Sequence, residues 1–166
     1  MGYPGRGAIH GGHKVESMAF HQLGVIAQIH AKCFDDPWGE ATLDQILMMN
    51  GAFGLIVRRP RFEAVGGFAL ARIVADECEL LSLGVSPDCR KQGMAKALLR
   101  ESMVRAAAFQ ARWFFLEVAQ DNLTAARLYE AHGLRKVGER PDYYETKDGR
   151  RTDAHTMRRS LQDLLF

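Results

Sequence analysis

Hydrophobic residues along the chain follow two kinds of spacing, and their order predicts one mixed α+β domain. Apolar residues recur at helical spacing in four segments, which predicts helices at 22–33, 40–50, 91–109 and 122–132. Shorter apolar runs between turn residues predict strands at 53–58, 65–74, 77–85, 113–118, 134–140 and 152–159. Short connections between the first three strands favour antiparallel hairpins. The sequence therefore predicts a mixed, mostly antiparallel central sheet with helices on both faces.

The first fourteen residues have a different composition from the rest of the chain. Residues 1–14 contain five glycines, one proline and two histidines, which predicts a flexible leader before a single domain at 15–166. The His10-x-x-His13 spacing could bind a metal, but no acidic or thiol residue stands beside it. No metal is therefore expected.

Composition and charge narrow the function classes. Hydrophobic residues make up 47% of the 166 residues and charged residues 25%, as in an ordinary globular domain. A net charge of only +2 argues against direct nucleic-acid binding, which depends on neutralising many phosphates. No apolar run approaches the roughly 18 residues of a membrane helix. Three cysteines without a Cys-x-x-Cys pair fit a reducing cytoplasm, and Cys89 lacks a neighbouring His or Asn that would activate it.

A basic, glycine-containing turn at 90–95 carries the strongest chemical signal. A predicted strand ends at Pro87, Gly93 follows two basic residues, and a predicted helix begins directly afterwards. The first amides of a helix lack internal acceptors and the helix dipole is positive there, so such a turn is suited to binding a diphosphate. The turn matches neither a Walker A loop nor the dinucleotide fingerprint. Taken alone, it could equally be an ordinary helix start with a glycine.

The wider pattern resembles the GNAT N-acetyltransferases and, among them, the RimI-type enzymes that acetylate ribosomal-protein N-termini. Arg90-x-x-Gly93-x-Ala95 resembles their acetyl-CoA motif, and Phe34-x-x-Pro37-Trp38 resembles their substrate-loop signature. Further matches follow in order: Leu116-Glu117-Val118, Asn122, Ala125-Ala126, Leu128-Tyr129-Glu130, Gly133 and Asp142-Tyr143-Tyr144. The resemblance implies the GNAT fold, in which a splayed strand pair forms the acetyl-CoA cleft, with acetyl-CoA as cosubstrate.

The resemblance also implies roles for individual residues. It assigns Glu117 as the base and Tyr129 as the acid, with Asn122 and Tyr129 near the cofactor. The residues expected to bind acetyl-CoA through two stretches of main chain are Leu83, Gly84 and Val85, in a bulged strand facing the pantetheine arm, and Arg90, Lys91, Gln92, Gly93, Met94 and Ala95, around the pyrophosphate. The residues expected to bind the acceptor are Trp38, Tyr143 and Tyr144.

Simpler interpretations exist for three of these residues. Without the resemblance, Glu117 could be a satisfied polar strand end, Tyr129 a packing residue and Asn122 only a helix cap. Several positions depart from the family pattern, two of them in the segments expected to bind the cofactor. Gly84 replaces a more usual alanine, a change expected to preserve cofactor binding, and Ala95 replaces the second glycine of the motif.

Together these features predict acetyl transfer to the N-terminal α-amine of a protein, with a small-subunit ribosomal protein as the leading substrate. Acidic residues at Asp35, Asp36 and Glu40 could hold the basic tail of such a substrate. The main alternative is an acetyltransferase for a small amine or a lysine side chain. Two further alternatives are a non-catalytic acyl-CoA-binding regulator and, disfavoured by the low charge, a nucleic-acid-binding module.

Overall fold

The computed structural model describes residues 7–164, which form eight β-strands and four α-helices. The strands are Ala8–His10 (β1), His13–Ser17 (β2), Ala52–Arg58 (β3), Val65–Val74 (β4), Glu77–Val85 (β5), Trp113–Ala119 (β6), Arg135–Glu145 (β7) and Arg151–Ser160 (β8). The helices are Leu23–Cys33 (α1), Glu40–Leu47 (α2), Met94–Ala108 (α3) and Leu123–Ala131 (α4). All four predicted helices and all six predicted strands are confirmed, with shifts of a few residues at their ends.

All eight strands form one sheet in the order β1-β2-β3-β4-β5-β6-β8-β7. Only β5 and β6 are parallel, since the long connection between them contains α3. The other strand pairs of the described chain are antiparallel, as short connections favour. The last strand, β8, lies between β6 and β7 and places β7 at the sheet edge.

Strand alternation divides the core into two layers, one on each face of the sheet. On β3, Leu55 and Val57 face α3, whereas Ile56 faces α1 and α2. On β4, Phe68 and Leu70 lie on the α1–α2 face. Because each fully buried side chain of this kind contributes about 1.5–3 kcal/mol, both layers stabilise the sheet that carries the site.

The N-terminal segment corrects the prediction of a flexible leader up to residue 14. Residues 8–17 form the β1–β2 hairpin, which pairs with β3 at one edge of the sheet. Gly11 and Gly12 both have positive φ, as the two central residues of a type I′ hairpin turn require. Val15 is fully buried in the α3 core layer. The first six residues of the predicted leader lie outside the described residues.

The parallel strands β5 and β6 separate part of the way along their length. Their pairing ends at Leu80 and Leu116, yet β5 continues to Val85 and β6 to Ala119. Beyond that point β5 stays paired with β4, and β6 stays paired with β8. The register of β4 against β5 slips at the same place, so that Leu81 forms a bulge. The predicted splayed pair is therefore confirmed, with its bulge two residues before Leu83.

Strand β7 is longer than the predicted segment 134–140. It continues to Glu145 through an irregular stretch between Arg140 and Tyr144, where Asp142 has a positive φ of 52°. The Asp142 amide donates to Asp153 Oδ1 at 2.9 Å, which fixes this bend. The bend brings Tyr143 and Tyr144 alongside the end of β6, as their contacts with Glu117 show.

Candidate active site

The loop that begins α3 presents a row of main-chain NH groups. Within residues 7–164, none of the amides of residues 90–96 donates a hydrogen bond to another protein group. Lys91 and Gly93 adopt left-handed backbone conformations, with φ of 60° and 87°. Glycine takes such a φ without steric cost, and here it serves as the N-cap of α3. These NH groups, together with the positive end of the helix dipole, fit a diphosphate.

An ion pair between Arg59 and Asp88 lies next to the start of this loop. Arg59 Nη1 and Nη2 donate to the Asp88 carboxylate at 2.5 and 3.2 Å, and Ser86 Oγ donates to the same carboxylate at 2.6 Å. These hydrogen bonds, Ser86 first, hold the pKa of Asp88 well below its usual range. Arg90 Nε donates to the Val85 carbonyl at 3.2 Å and so connects the loop to the end of β5.

Several of the residues predicted to bind the cofactor use their side chains in contacts within the protein itself. Met94 is buried in the core, so only its main chain is available to a ligand. Leu83 and Ala95 pack against the α3 core layer. Asn122 caps α4, because its Oδ1 accepts from the Ala125 amide at 3.2 Å. The capping role is thus observed, and the predicted pantetheine contact of Asn122 stays a prediction.

Gly84 is closely packed inside the bulged strand. A Cβ atom there would lie 2.7 Å from Phe68 Cε1 and 3.3 Å from Cys33 Sγ. An alanine would therefore displace the Phe68 ring, which packs on His30. Glycine is thus the residue that fits beside Phe68 and Cys33 without displacing them.

Glu117 lies just beyond the point where β5 and β6 separate. Its Oε1 is 2.9 Å from Arg140 Nε on β7, and its side chain is only 12% exposed. The Tyr144 hydroxyl donates to the Glu117 carbonyl at 3.2 Å. Arg140 also stacks over the Tyr143 ring, 5.3 Å from its centroid. The structure therefore brings Glu117, Tyr143 and Tyr144 together, and it adds Arg140, which the sequence patterns did not single out.

A second carboxylate shares this end of the cleft. Glu79, on β5, pairs with Phe115 in the parallel register, two residues before Glu117. Burial raises the pKa of Glu79, and the nearby charge of Glu117 raises it further, while Arg140 and Arg72 partly oppose the shift. Sequence reasoning missed Glu79 because only the β5–β6 register places it beside Glu117. The alternation of polar and apolar residues at 77–81 was the signal in the sequence that could have pointed to Glu79.

Tyr129 is buried in α4, with only 8% of its surface exposed. Burial raises its pKa to about 12. Tyr144 has a similar pKa of about 12, raised first by burial and then by the charges of Tyr143, Glu117 and Tyr129. Both phenols consequently keep their protons at neutral pH, which an acid catalyst requires.

The segment containing Trp38 is anchored to the bulged strand through His30. The Trp38 amide donates to His30 Nδ1 at 3.1 Å, so the ring proton of the neutral histidine is on Nε2, 3.3 Å from Ser82 Oγ. The Trp38 and His30 rings are stacked at 4.9 Å. Burial lowers the pKa of His30, with Asp36 partly opposing. His30 is thus a packed, hydrogen-bonded histidine.

Residues 7–164 give little support to a cysteine nucleophile, a metal site or a membrane-spanning helix. Cys89 is buried and its pKa is raised first by burial, so it is not an activated nucleophile. No group of three or more His, Cys, Asp or Glu side chains in this part of the chain is arranged to hold a metal ion. No helix among the same residues is long and apolar enough to cross a membrane.

Comparison with known proteins identifies the family. The model of the acetyltransferase (GNAT) family matches residues 23–134, more than half of the chain. The chain belongs to the GNAT acetyltransferase family. It is accordingly an acetyl-CoA-dependent acetyltransferase. The loop at residues 90–96, here called the α3 loop, and the separated ends of β5 and β6 are the parts of its structure that fit this cosubstrate.

Individual relatives of this GNAT enzyme have related names. A protein of Haemophilus ducreyi named ribosomal protein bS18-alanine N-acetyltransferase is 33% identical over 121 residues, covering 73% of this chain and 81% of the relative. N-alpha-acetyltransferase RimI of Mycobacterium tuberculosis is 33% identical over 141 residues, covering 82% and 85%. The crystal structure of the ribosomal-protein-S18-alanine N-acetyltransferase from Escherichia coli superposes with a TM-score of 0.82 at 27% identity, covering 90% and 94%.

The tyrosine pKa values give a direct test of the site's electrostatics. We expect Tyr129 and Tyr144 to ionise near pH 12 in an ultraviolet absorbance titration, and each Tyr→Phe change to remove one such transition. Because each folded-state pKa lies above the unfolded value of about 10, the associated stability is present below pH 10 and is lost as pH rises toward 12. Ionisation of both near pH 10, while circular dichroism shows a folded protein, would contradict this picture.

Proposed function

We propose that this GNAT enzyme transfers the acetyl group of acetyl-CoA to the N-terminal α-amine of a protein, most specifically a small-subunit ribosomal protein. The observation that carries the proposal is the grouping of a carboxylate, Glu117, with the phenols of Tyr143 and Tyr144 where β5 and β6 separate. The buried, protonated Tyr129 lies near Tyr144. The names of the relatives, which include bS18-alanine N-acetyltransferases, support the ribosomal acceptor. A cytoplasmic location is part of the same proposal.

Binding of the cosubstrate follows from the main chain. The amides of residues 90–96 hold the diphosphate, and Leu83, Gly84 and Val85 face the pantetheine arm. When bound, acetyl-CoA supplies the thioester whose carbonyl the amine attacks. In this proposal the Val85 amide donates to the oxyanion that develops on that carbonyl.

Glu117 accepts the proton that the amine must lose before it attacks. The pKa of an α-amine in a peptide is ~8 against ~10.4 for a lysine side chain, so its unprotonated fraction at neutral pH is roughly a few hundred times larger. Arg140 holds one Glu117 oxygen at 2.9 Å and so orients the carboxylate. Tyr143 and Tyr144, which contact Glu117, and Trp38, held by His30, form the walls of the acceptor site in this proposal.

Tyr129 gives its proton to the thiolate as the carbon–sulfur bond breaks. A buried phenol of pKa about 12 is a weaker acid than a thiol in water. The thiolate, however, forms in the same buried surroundings, which raise the pKa of a thiol as they raise that of the phenol. Proton transfer from Tyr129 thus releases CoA as the neutral thiol and leaves the negative charge on the phenolate, which regains a proton from solvent before the next turnover.

The acid role is tested by Tyr129→Phe, which removes the proton and keeps the ring. General acid catalysis contributes about 100-fold or more, so we expect kcat to fall by at least that factor while the calorimetric Kd for acetyl-CoA is unchanged. Tyr3→Phe is the matched control, because the same chemical change is made at a tyrosine with no assigned role. A Tyr129→Phe enzyme that keeps kcat within threefold of the original would rule out this acid.

The acceptor class is tested by comparing three substrates through the release of free CoA thiol. The first is a lysine-free peptide with the N-terminal sequence of a small-subunit ribosomal protein. The second is a peptide with a blocked N-terminus and an internal lysine, and the third is spermidine. We expect kcat/KM to be highest for the free α-amine by at least about tenfold, since it is the more readily deprotonated nucleophile. Faster turnover of spermidine or of the blocked peptide would instead support the small-amine or lysine alternative.

A further inference from the structure

The β1–β2 hairpin carries two histidines that contact α3 and the loop before it. His10 Nε2 lies 2.8 Å from Glu101 Oε2. His13 Nε2 lies 2.5 Å from the carbonyl oxygen of Gln92, the residue that precedes Gly93. The hairpin thus reaches the loop to which the diphosphate has been assigned, and the GNAT family match, which begins at residue 23, does not include it.

The hairpin is fixed along α3 by contacts other than that of His13. Glu101 is only 5% exposed and also accepts from Arg105 Nε at 2.9 Å. Arg105 Nη1 in turn donates to Ser17 Oγ, on β2, at 2.7 Å. With Val15 buried in the α3 core layer, both strands of the hairpin are attached to the helix. The imidazole of His13 is therefore held at a defined place beside the loop.

The contact of His13 determines the direction of one main-chain NH group. A carbonyl oxygen can only accept, so the proton of this hydrogen bond is on His13 Nε2. The described chain contains no cis peptide, and in a planar trans peptide the C=O and N–H groups point in opposite directions. Since the Gln92 carbonyl points toward His13, the Gly93 N–H points away from it.

Among residues 7–164, the hydrogen bond of His13 is the only one made by this peptide. Gly93 lacks a Cβ atom and can adopt many backbone conformations, so a flip of the Gln92–Gly93 peptide meets little steric resistance. A flipped peptide would remove one NH donor from the diphosphate and would turn a carbonyl dipole of the wrong sign toward it. The hydrogen bond from His13 opposes that flip.

We propose that His13 is a positioning residue for acetyl-CoA, which holds the Gln92–Gly93 peptide with its NH group directed to the diphosphate. This inference rests on the proposed function of the α3 loop. It makes the N-terminal hairpin a working part of the cosubstrate site. The contribution of His13 is specific to ligands that carry the diphosphate.

Three variants separate the hydrogen bond from the bulk of the side chain. His13→Phe keeps a ring without the donor, and His13→Gln places an uncharged NH donor at a similar reach. His21→Phe makes the same His-to-Phe change at an exposed position with no assigned role. Each is assayed by calorimetry with CoA and by KM for acetyl-CoA and for S-acetylpantetheine, which lacks the diphosphate, and its melting temperature is recorded.

We expect His13→Phe to weaken CoA binding and raise KM for acetyl-CoA about three- to tenfold, the effect of losing one hydrogen bond. KM for S-acetylpantetheine and kcat should stay unchanged, and His13→Gln and His21→Phe should stay within twofold of the original protein. If His13→Phe lowers the melting temperature strongly, His13→Leu, which also lacks a donor, takes its place.

Unchanged CoA affinity in His13→Phe would overturn the inference. So would an equal loss for both acetyl donors, which indicates general distortion, or a loss in His13→Gln as large as in His13→Phe. Gly93→Val separates failure of this inference from failure of the site assignment. If Gly93→Val leaves CoA binding intact, the diphosphate does not bind at the α3 loop. If it abolishes binding while His13→Phe has no effect, only the role of His13 is wrong.

Discussion

The proposed cosubstrate site depends first on the main-chain NH groups at the start of α3. In the described part of the chain the amides of residues 90–96 donate to no other protein group, although α3 is otherwise packed into the core. The left-handed conformations at Lys91 and Gly93 produce this arrangement. An anion that accepts from these groups both satisfies them and opposes the helix dipole, which supports the proposal that the loop holds the diphosphate of the cosubstrate.

The separation of β5 and β6 opens the cleft that is proposed to hold the other end of the cosubstrate. A parallel pair that stayed hydrogen-bonded to its ends would close the cleft. Here the bulge at Leu81 and the loss of pairing beyond Leu80 open it, while β4 and β8 keep the two strands supported from outside. Glu117 emerges at this opening, beside Arg140 and the two tyrosines of the β7 bend. Sheet geometry thus places Glu117, the proposed base, at the opening between the two strands.

The sequence predicted well those elements whose residue pattern permits only one local structure. The period of apolar positions located α3, and the Arg90-x-x-Gly93-x-Ala95 pattern located its first turn. The hairpin at 8–17 was missed because glycine-rich composition is shared by flexible leaders and tight turns, and only pairing with β3 distinguishes them. The contacts of Glu79, Arg140 and His13 were missed because their partners are distant in sequence. Their significance depends on strand register, which the local pattern does not determine.

Amide NMR spectra of isotope-labelled protein, titrated with CoA and separately with pantetheine, test the central claim most directly. If the α3 loop grips the diphosphate, the amide signals of residues 91–96, Gly93 foremost, shift strongly with CoA and stay in place with pantetheine. Shifts of similar size with both ligands, or CoA-induced shifts confined to other parts of the chain, would contradict the account.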